Sequence, residues 1–266
     1  MNPKVESAFD RIKEIVSLAN AARNLAGLKR RWPVKEVIIC GQNLKSLETE
    51  GISDVFKNQL NASQYTLVEI ANGSQLEKVA NLLDKKMPIS VSLSLVRRNI
   101  APKVKADIDR VIEAFERVDK VEIVQTLQKS EGYLLTYNGK RIKLSPSDVD
   151  IAYSPSDGYS CSERDGLVVF VSSVRDKDLI AKGLLRDLAR QLQQLRKERQ
   201  YNPTDTVDAA YVAGLAGEEI STLLAMKDEL TYLVRVKKVL LSEDAVLNVT
   251  YKVIEIDGRE FKISVE

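Results

Sequence analysis

Two helix ends in this chain read almost alike, and any fold it adopts must build both. Ala22-Arg23-Asn24-Leu25-Ala26-Gly27-Leu28-Lys29-Arg30-Arg31-Trp32-Pro33-Val34 closes one amphipathic helix. Leu195-Arg196-Lys197-Glu198-Arg199-Gln200-Tyr201-Asn202-Pro203-Thr204-Asp205-Thr206-Val207 closes another, far downstream. Each places an Arg just before the helix stops, then a polar, basic exit, a Pro, and a strand that opens on Val. Cations at a helix C-terminus complement its dipole whatever the protein does. Beyond each exit the pattern continues as strand, helix, strand, with second strands near Leu67 and Val239. Either two related α–β–α–β modules or the ordinary alternation of an α/β fold produces such a match.

Along the chain, Asn2-Pro3 reads as a capped helix start. Ile12, Val16, Ala19 and Ala22 carry an apolar stripe at helical spacing to a stop at Gly27. Strands are expected over 34–40, 65–70 and 89–96, and helices over 44–60, from Asn72-Gly73 to about 85, and from Ala101-Pro102 onward. Residues 120–130 read as a helix, and Asn138-Gly139 marks a hairpin between 134–137 and 141–144. After a strand at 148–153, the Ser-, Gly- and Asp-rich stretch 154–165 reads as a linker or exposed loop between two domains. The second domain is expected to open on a strand over 167–171, run through a long helix over 176–200, and close on a hairpin turning at Asp257-Gly258. The expected class is α/β (α+β): an N-terminal helix over 1–30, a first α/β module with a hairpin over 31–155, and a second α/β module over 160–266.

Composition narrows the function. With 44% hydrophobic and 29% charged residues the chain is that of a soluble globular protein, slightly charge-rich. A net charge of only +2 means that any anion-binding face is local. The charged opening is unlike a secretory signal, and no apolar run approaches the ~18 residues that span a bilayer. Cys40 and Cys161 are too far apart for a disulfide framework or zinc spacing, which suits a reducing cytoplasm. The chain contains 0 His, which removes Ser–His and Cys–His nucleophile pairs and His-based zinc motifs. No glycine-rich phosphate loop occurs, Gly214 and Gly217 being too sparse, and Tyr159-Ser160-Cys161-Ser162 lacks the G-x-S-x-G elbow.

Three stretches carry candidate chemistry. Arg23, Lys29, Arg30, Arg31 and Trp32 combine planar phosphate-binding groups with a ring on which an unpaired base can stack; alternatively Trp32 anchors a core beside Pro33. On the helix over 176–200, Leu184, Leu188, Leu192 and Leu195 form the core stripe. Arg186, Arg190, Gln193 and Lys197 line the other side, flanked by Gln194 and Arg196, as an RNA-contacting ridge or a merely solvated face. Arg97-Arg98-Asn99 with Lys103 and Lys105 forms a weaker third cluster between a strand and a helix.

At these residues the chain resembles a known family, the C-terminal region of isoleucyl-tRNA synthetases of archaeal and eukaryotic-like form. Ile15 to Val37, with Ala22-Arg23 and Gly27-Leu28-Lys29-Arg30-Arg31-Trp32-Pro33, is similar to the family's last anticodon-bundle helix and its exit. Asp178 to Lys197, with Gly183-Leu184-Leu185-Arg186-Asp187 and Arg190-Gln191-Leu192-Gln193-Gln194-Leu195-Arg196-Lys197, resembles the family's E-L-x-x-E-G-L-[AV]-R-E helix. Gln59-Leu60-Asn61 is a looser echo. The chain departs from the pattern at Lys182, Asp187 and Ala62-Ser63-Gln64.

The resemblance implies a parent enzyme that attaches isoleucine to its tRNA with ATP and Mg, neither of which this chain is expected to hold. It has no H-I-G-H and no K-M-S-K-S stretch, so it carries no catalytic motif. What the likeness implies is a tRNA-binding portion, cut from the enzyme or separately encoded, that works beside upstream catalytic and editing domains and not with DNA or a membrane. Arg23, Lys29, Arg30, Arg31 and Trp32 would form one RNA-facing side, and Arg186, Arg190, Gln193, Gln194, Arg196 and Lys197 the other. The alternative is a freestanding structural or protein-interaction paralogue.

Overall fold

The computed structural model describes residues 3–49, 51–70, 87–129 and 132–266. The expected cap at Asn2 and the helix expected from 72 to about 85 lie outside them. The architecture is mixed α/β. Helix α1 (Pro3–Leu25) lays Ile12, Ile15, Leu18, Ala19 and Ala22 against a sheet, as its stripe requires. It ends with Gly27 in the left-handed conformation, φ 66°, while the Leu28 amide donates to the Arg23 carbonyl at 2.8 Å.

The chain then forms β1 (Val34–Gly41), a short 3-10 turn at Leu44–Glu48, α2 (Ile52–Leu60) and β2 (Ala62–Glu69), parallel to β1 with Val34 opposite Ala62. The single helix expected over 44–60 is thus two pieces, parted where Thr49 is extended. Residues 87–155 form an insertion with its own core. It comprises β3 (Ile89–Leu95), α3 (Arg97–Val104), α4 (Ile108–Glu116), α5 (Lys120–Gln128), the hairpin β4 (Tyr133–Tyr137) and β5 (Lys140–Leu144), and β6 (Val149–Pro155), antiparallel to β3. Asn138 and Gly139 both have positive φ, 45° and 74°, as the expected hairpin turn demands. The helix expected to open at Ala101-Pro102 instead starts at Arg97, contains Pro102, and breaks at Lys105, φ 48°.

Residues 159–172 return to the first sheet. β7 (Tyr159–Arg164) and β8 (Leu167–Ser172) complete the order β2-β1-β8-β7, with Ile39 opposite Val169. The stretch read as a linker is therefore partly an edge strand. Its polar residues face the rim, and Ser160 Oγ donates to the Ala22 carbonyl at 2.7 Å. Likewise, the strand expected to open the second module belongs to the first. Every residue of β8 is buried, because helices cover one face of its sheet and the insertion the other.

The second module repeats the scheme. Helix α6 (Lys177–Glu198) is capped by Asp176, whose carboxylate accepts from the Leu179 amide at 2.9 Å. There follow β9 (Val207–Ala213), α7 (Gly217–Ala225), α8 (Lys227–Val234), β10 (Val236–Ser242), and the hairpin β11 (Lys252–Ile256) and β12 (Arg259–Val265). The sheet order is β10-β9-β12-β11, with β10 parallel to β9 and β12 antiparallel to it. Matched strand for strand, this is the topology of the first sheet. Gln200 takes the left-handed place of Gly27, φ 64°, and the Tyr201 amide donates to the Arg196 carbonyl at 3.1 Å. The two exits that read alike are built alike, with α1 and α6 in corresponding places.

Candidate nucleic-acid interface

The two Arg residues that mark the exits lie inside the protein. Arg23 is 1% exposed, and its guanidinium donates to the carbonyls of Trp32 at 2.7 Å and of Leu60 and Asn61 at 2.8 Å each. Arg196 is 5% exposed and donates to the carbonyls of Val234, Arg235 (2.8 Å), Asn202 (3.3 Å) and Asp205 (2.6 Å). Asn61 and Arg235 are equivalent left-handed residues, φ 49° and 55°, at the turn before the second strand of each module. A planar fork suits this work, because one side chain reaches the exit loop and that turn together. Burial, and secondarily the charge of Arg186, lowers the Arg23 pKa to about 10, so the group stays cationic at neutral pH. The accessible position expected for Arg23 and Arg196 is thus corrected.

Trp32 is also internal, at 5% exposure. Its ring lies against Gly183 in the second turn of α6, its Nε1 donates to Asp187 at 2.8 Å, and the Arg175 guanidinium covers a face at 4.6 Å from the centroid. No face is left for a base. Asp187 gathers three donors: Trp32, Lys29 at 3.0 Å and Arg31 at 3.1 Å. Lys29 also meets Asp257, in the β11–β12 turn, at 2.6 Å. Arg186 donates to the Arg31 carbonyl at 3.1 Å and to the Asn61 side-chain oxygen. Lys29, Arg31, Trp32 and Arg186 therefore make a joint between the modules.

Burial alone would raise the Asp187 pKa; hydrogen bonds from Trp32 and Lys29 outweigh it and hold the carboxyl below its usual range. Burial alone would lower Lys29, and its bonds to Asp257 and Asp187 reverse the direction. A depressed carboxylate stabilises the fold above its unfolded pKa of ~3.9, and that contribution fades as pH falls through the lower folded value. The joint is therefore expected to hold at neutral pH and loosen below about pH 4. Acid titration of the single Trp should show a red shift there, and Asp187→Asn should show the shifted emission already at pH 7.

What remains on the surface is smaller than the sequence suggested. Arg30, Arg190 and Lys197 are exposed, and among the described residues no ion pair engages them. Gln193 and Gln194 are exposed too, with amides donating to the Leu233 carbonyl at 2.8 Å and to Glu198 at 3.4 Å. The third cluster is divided: Lys103 pairs with the buried Asp148 at 2.5 Å and Asn99 donates to the Ser147 carbonyl at 2.5 Å, while Arg97, Arg98 and Lys105 are exposed. Pattern reasoning missed the part that Gly183, Asp187, Asn61 and Arg175 play at this joint. A glycine and a carboxylate inside a helix otherwise rich in Leu were the available signals.

Among described residues no cluster could hold a metal ion, and no helix is long and apolar enough to cross a membrane. No family model matches the chain. Among the curated proteins it matches are tRNA ligases. They are isoleucine--tRNA ligases, so the resemblance to the isoleucyl-tRNA synthetases is borne out. The relative from Thermoplasma acidophilum is 29% identical over 209 residues, 78% of this chain and 18% of the relative. That from Clostridium novyi is 24% identical over 268 residues, 99% of this chain and 23% of the relative. That from Sulfolobus acidocaldarius is 25% identical over 210 residues, 78% of this chain and 19% of the relative. The chain thus spans 18–23% of the length of these ligases.

Proposed function

We propose that this chain is a tRNA-binding portion, from the C-terminal side, of an isoleucine--tRNA ligase, and that it positions the anticodon arm without doing chemistry. The observation that carries this reading is the row of solvated cations on α6, Arg190 and Lys197 with the amides of Gln193 and Gln194 between them, in a chain similar to isoleucine--tRNA ligases. Cations without carboxylate partners neutralise phosphates at no cost in broken ion pairs, and amides can reach base edges. The joint around Asp187 would hold the modules as one surface, so that Arg30 and the α6 row act at fixed separation. The partners would be isoleucine tRNA and the upstream catalytic and editing domains; ATP and Mg would act in those domains.

Filter binding with isoleucine tRNA against an unrelated tRNA tests this. Affinity should fall by ~0.7 log units per log unit of salt for each single-strand phosphate contacted. Arg190→Glu with Lys197→Glu should weaken binding roughly a hundredfold or more, since each of the two charge-assisted contacts is worth ~1.5–3 kcal/mol. The melting temperature should hardly move, because both residues are exposed. Absence of binding at low salt would leave a structural or protein-interaction module. Isoleucine-dependent ATP–pyrophosphate exchange should be absent from this chain by itself.

A further inference from the structure

A cavity of 160 Å³ opens at the exit of α6, under the turn that joins α8 to β10. Tyr201, Pro203 and Leu233 supply its apolar lining, and Gln193 and Asn202 its polar edge. Lys197 and Arg235 stand at the rim, both exposed and, among the described residues, without an ion pair. Arg196 lines the same cavity with both terminal nitrogens donating to carbonyls, and among the described residues its charge has no carboxylate partner, so it adds positive potential there. The volume is below the ~300 Å³ at which sites for drug-sized ligands begin, and suits one flat ring. A cavity of 480 Å³ in the first module overlaps the corresponding place in part, Asn20, Arg30 and Gln59 holding the positions of Gln193, Pro203 and Leu233. It too carries an unpaired cation, Arg30.

We propose that the α6 cavity is a seat for a single unpaired base of an RNA strand, with Lys197 and Arg235 on the phosphates that flank it. This rests on the tRNA-binding reading and adds to it a place and a strand type. The base ring would lie among Tyr201, Pro203 and Leu233, and the Asn202 side-chain amide, which among the described residues makes no hydrogen bond, would meet its edge. Ring against apolar side chains is tolerant of sequence, whereas the amide edge discriminates. A base inside a duplex keeps both faces stacked and cannot enter, so the seat selects loops and ends over helices.

The test uses the whole chain and an isoleucine tRNA anticodon stem–loop with 2-aminopurine placed in turn at each loop position. An all-duplex RNA of the same length and intact isoleucine tRNA serve as comparisons. Lys197→Gln with Arg235→Asn removes both rim charges while keeping a helix former and a residue that accepts the left-handed turn. The expected result is a fluorescence change at one loop position on binding and weak binding of the duplex. The double variant should lose that change and roughly tenfold in affinity, and its salt slope should fall by ~1.4. Unaltered affinity and fluorescence in the folded double variant, with intact tRNA still bound, would overturn the seat and leave the tRNA reading standing. Equal binding of the duplex would do the same. Failure of the unmodified protein to bind intact tRNA at low salt would overturn both.

Discussion

Arg196→Met is expected to lower the melting temperature by roughly 10 °C, and Arg23→Met to do nearly as much, although neither residue looks structural in the sequence. Methionine fills most of the volume and removes every donor. In the second module the carbonyls of Val234 and Asp205 then lose their shared partner; the Asn202 and Arg235 carbonyls keep the Asp205 and Val207 amides, at 3.1 Å each. In the first module the carbonyls of Trp32 and Leu60 lose theirs, and the Asn61 carbonyl keeps the Val34 amide at 3.2 Å. Each buried acceptor left bare costs ~1–3 kcal/mol, against a total stability of ~5–15 kcal/mol. Lysine should not rescue either site, since a point charge cannot reach the exit loop and the turn at once. Calorimetry or circular dichroism checks the result. A melting temperature within a degree or two of the unmodified protein would show that water replaces the guanidinium without penalty. The effect should also be local, with hydrogen exchange faster in β9 and β10 for Arg196→Met and in β1 and β2 for Arg23→Met.

Those two arginines mark where sequence reasoning stops. That the helices end at Gly27 and near Glu198 is written in local chemistry, a glycine stop and a basic last turn, and so are the Asn138-Gly139 hairpin and the Leu184–Leu188–Leu192–Leu195 stripe. Each depends on neighbours a few residues away. The destination of Arg23 depends instead on carbonyls delivered by Leu60 and Asn61, which no periodicity reveals. The same distance hid the true place of 159–172. β8 reads as a buried strand anywhere, but its partner is β1, reached only after an insertion with a core of its own. The family likeness was legible because the exits and the α6 helix are continuous stretches. The balance of its basic residues between joint and surface was not, because Asp187 captures Lys29 and Arg31 across two modules.

Gly183→Ala is expected to part the modules. A Cβ there would fall 2.8 Å from Trp32 Cε2 and closer still to Cδ2 and Cε3, in the body of a ring rather than at the movable end of a chain. Gly183 is helical, so alanine should favour α6 itself by ~0.5–1 kcal/mol, which makes any loss attributable to the contact. Overpacking of a fitted site costs ~1–3 kcal/mol, and here the ring cannot turn aside without giving up the 2.8 Å bond to Asp187 and its place beneath Arg175. Once Trp32 withdraws, Lys29 and Arg31 lose the geometry that brings them to the same carboxylate, so the joint should fail as a unit. The expected signature is a red-shifted emission from the single Trp, an enlarged radius in solution scattering, and two thermal transitions in place of one. Trp32→Phe, which keeps a ring but no N–H, combined with Gly183→Ala should be little worse than Gly183→Ala alone if both act on one contact. Their full additivity, or an unchanged emission in Gly183→Ala, would mean that the modules are held elsewhere. If separation weakens tRNA binding while the exposed Arg190 and Lys197 are untouched, the joint contributes by fixing the distance between two cationic faces rather than by touching RNA.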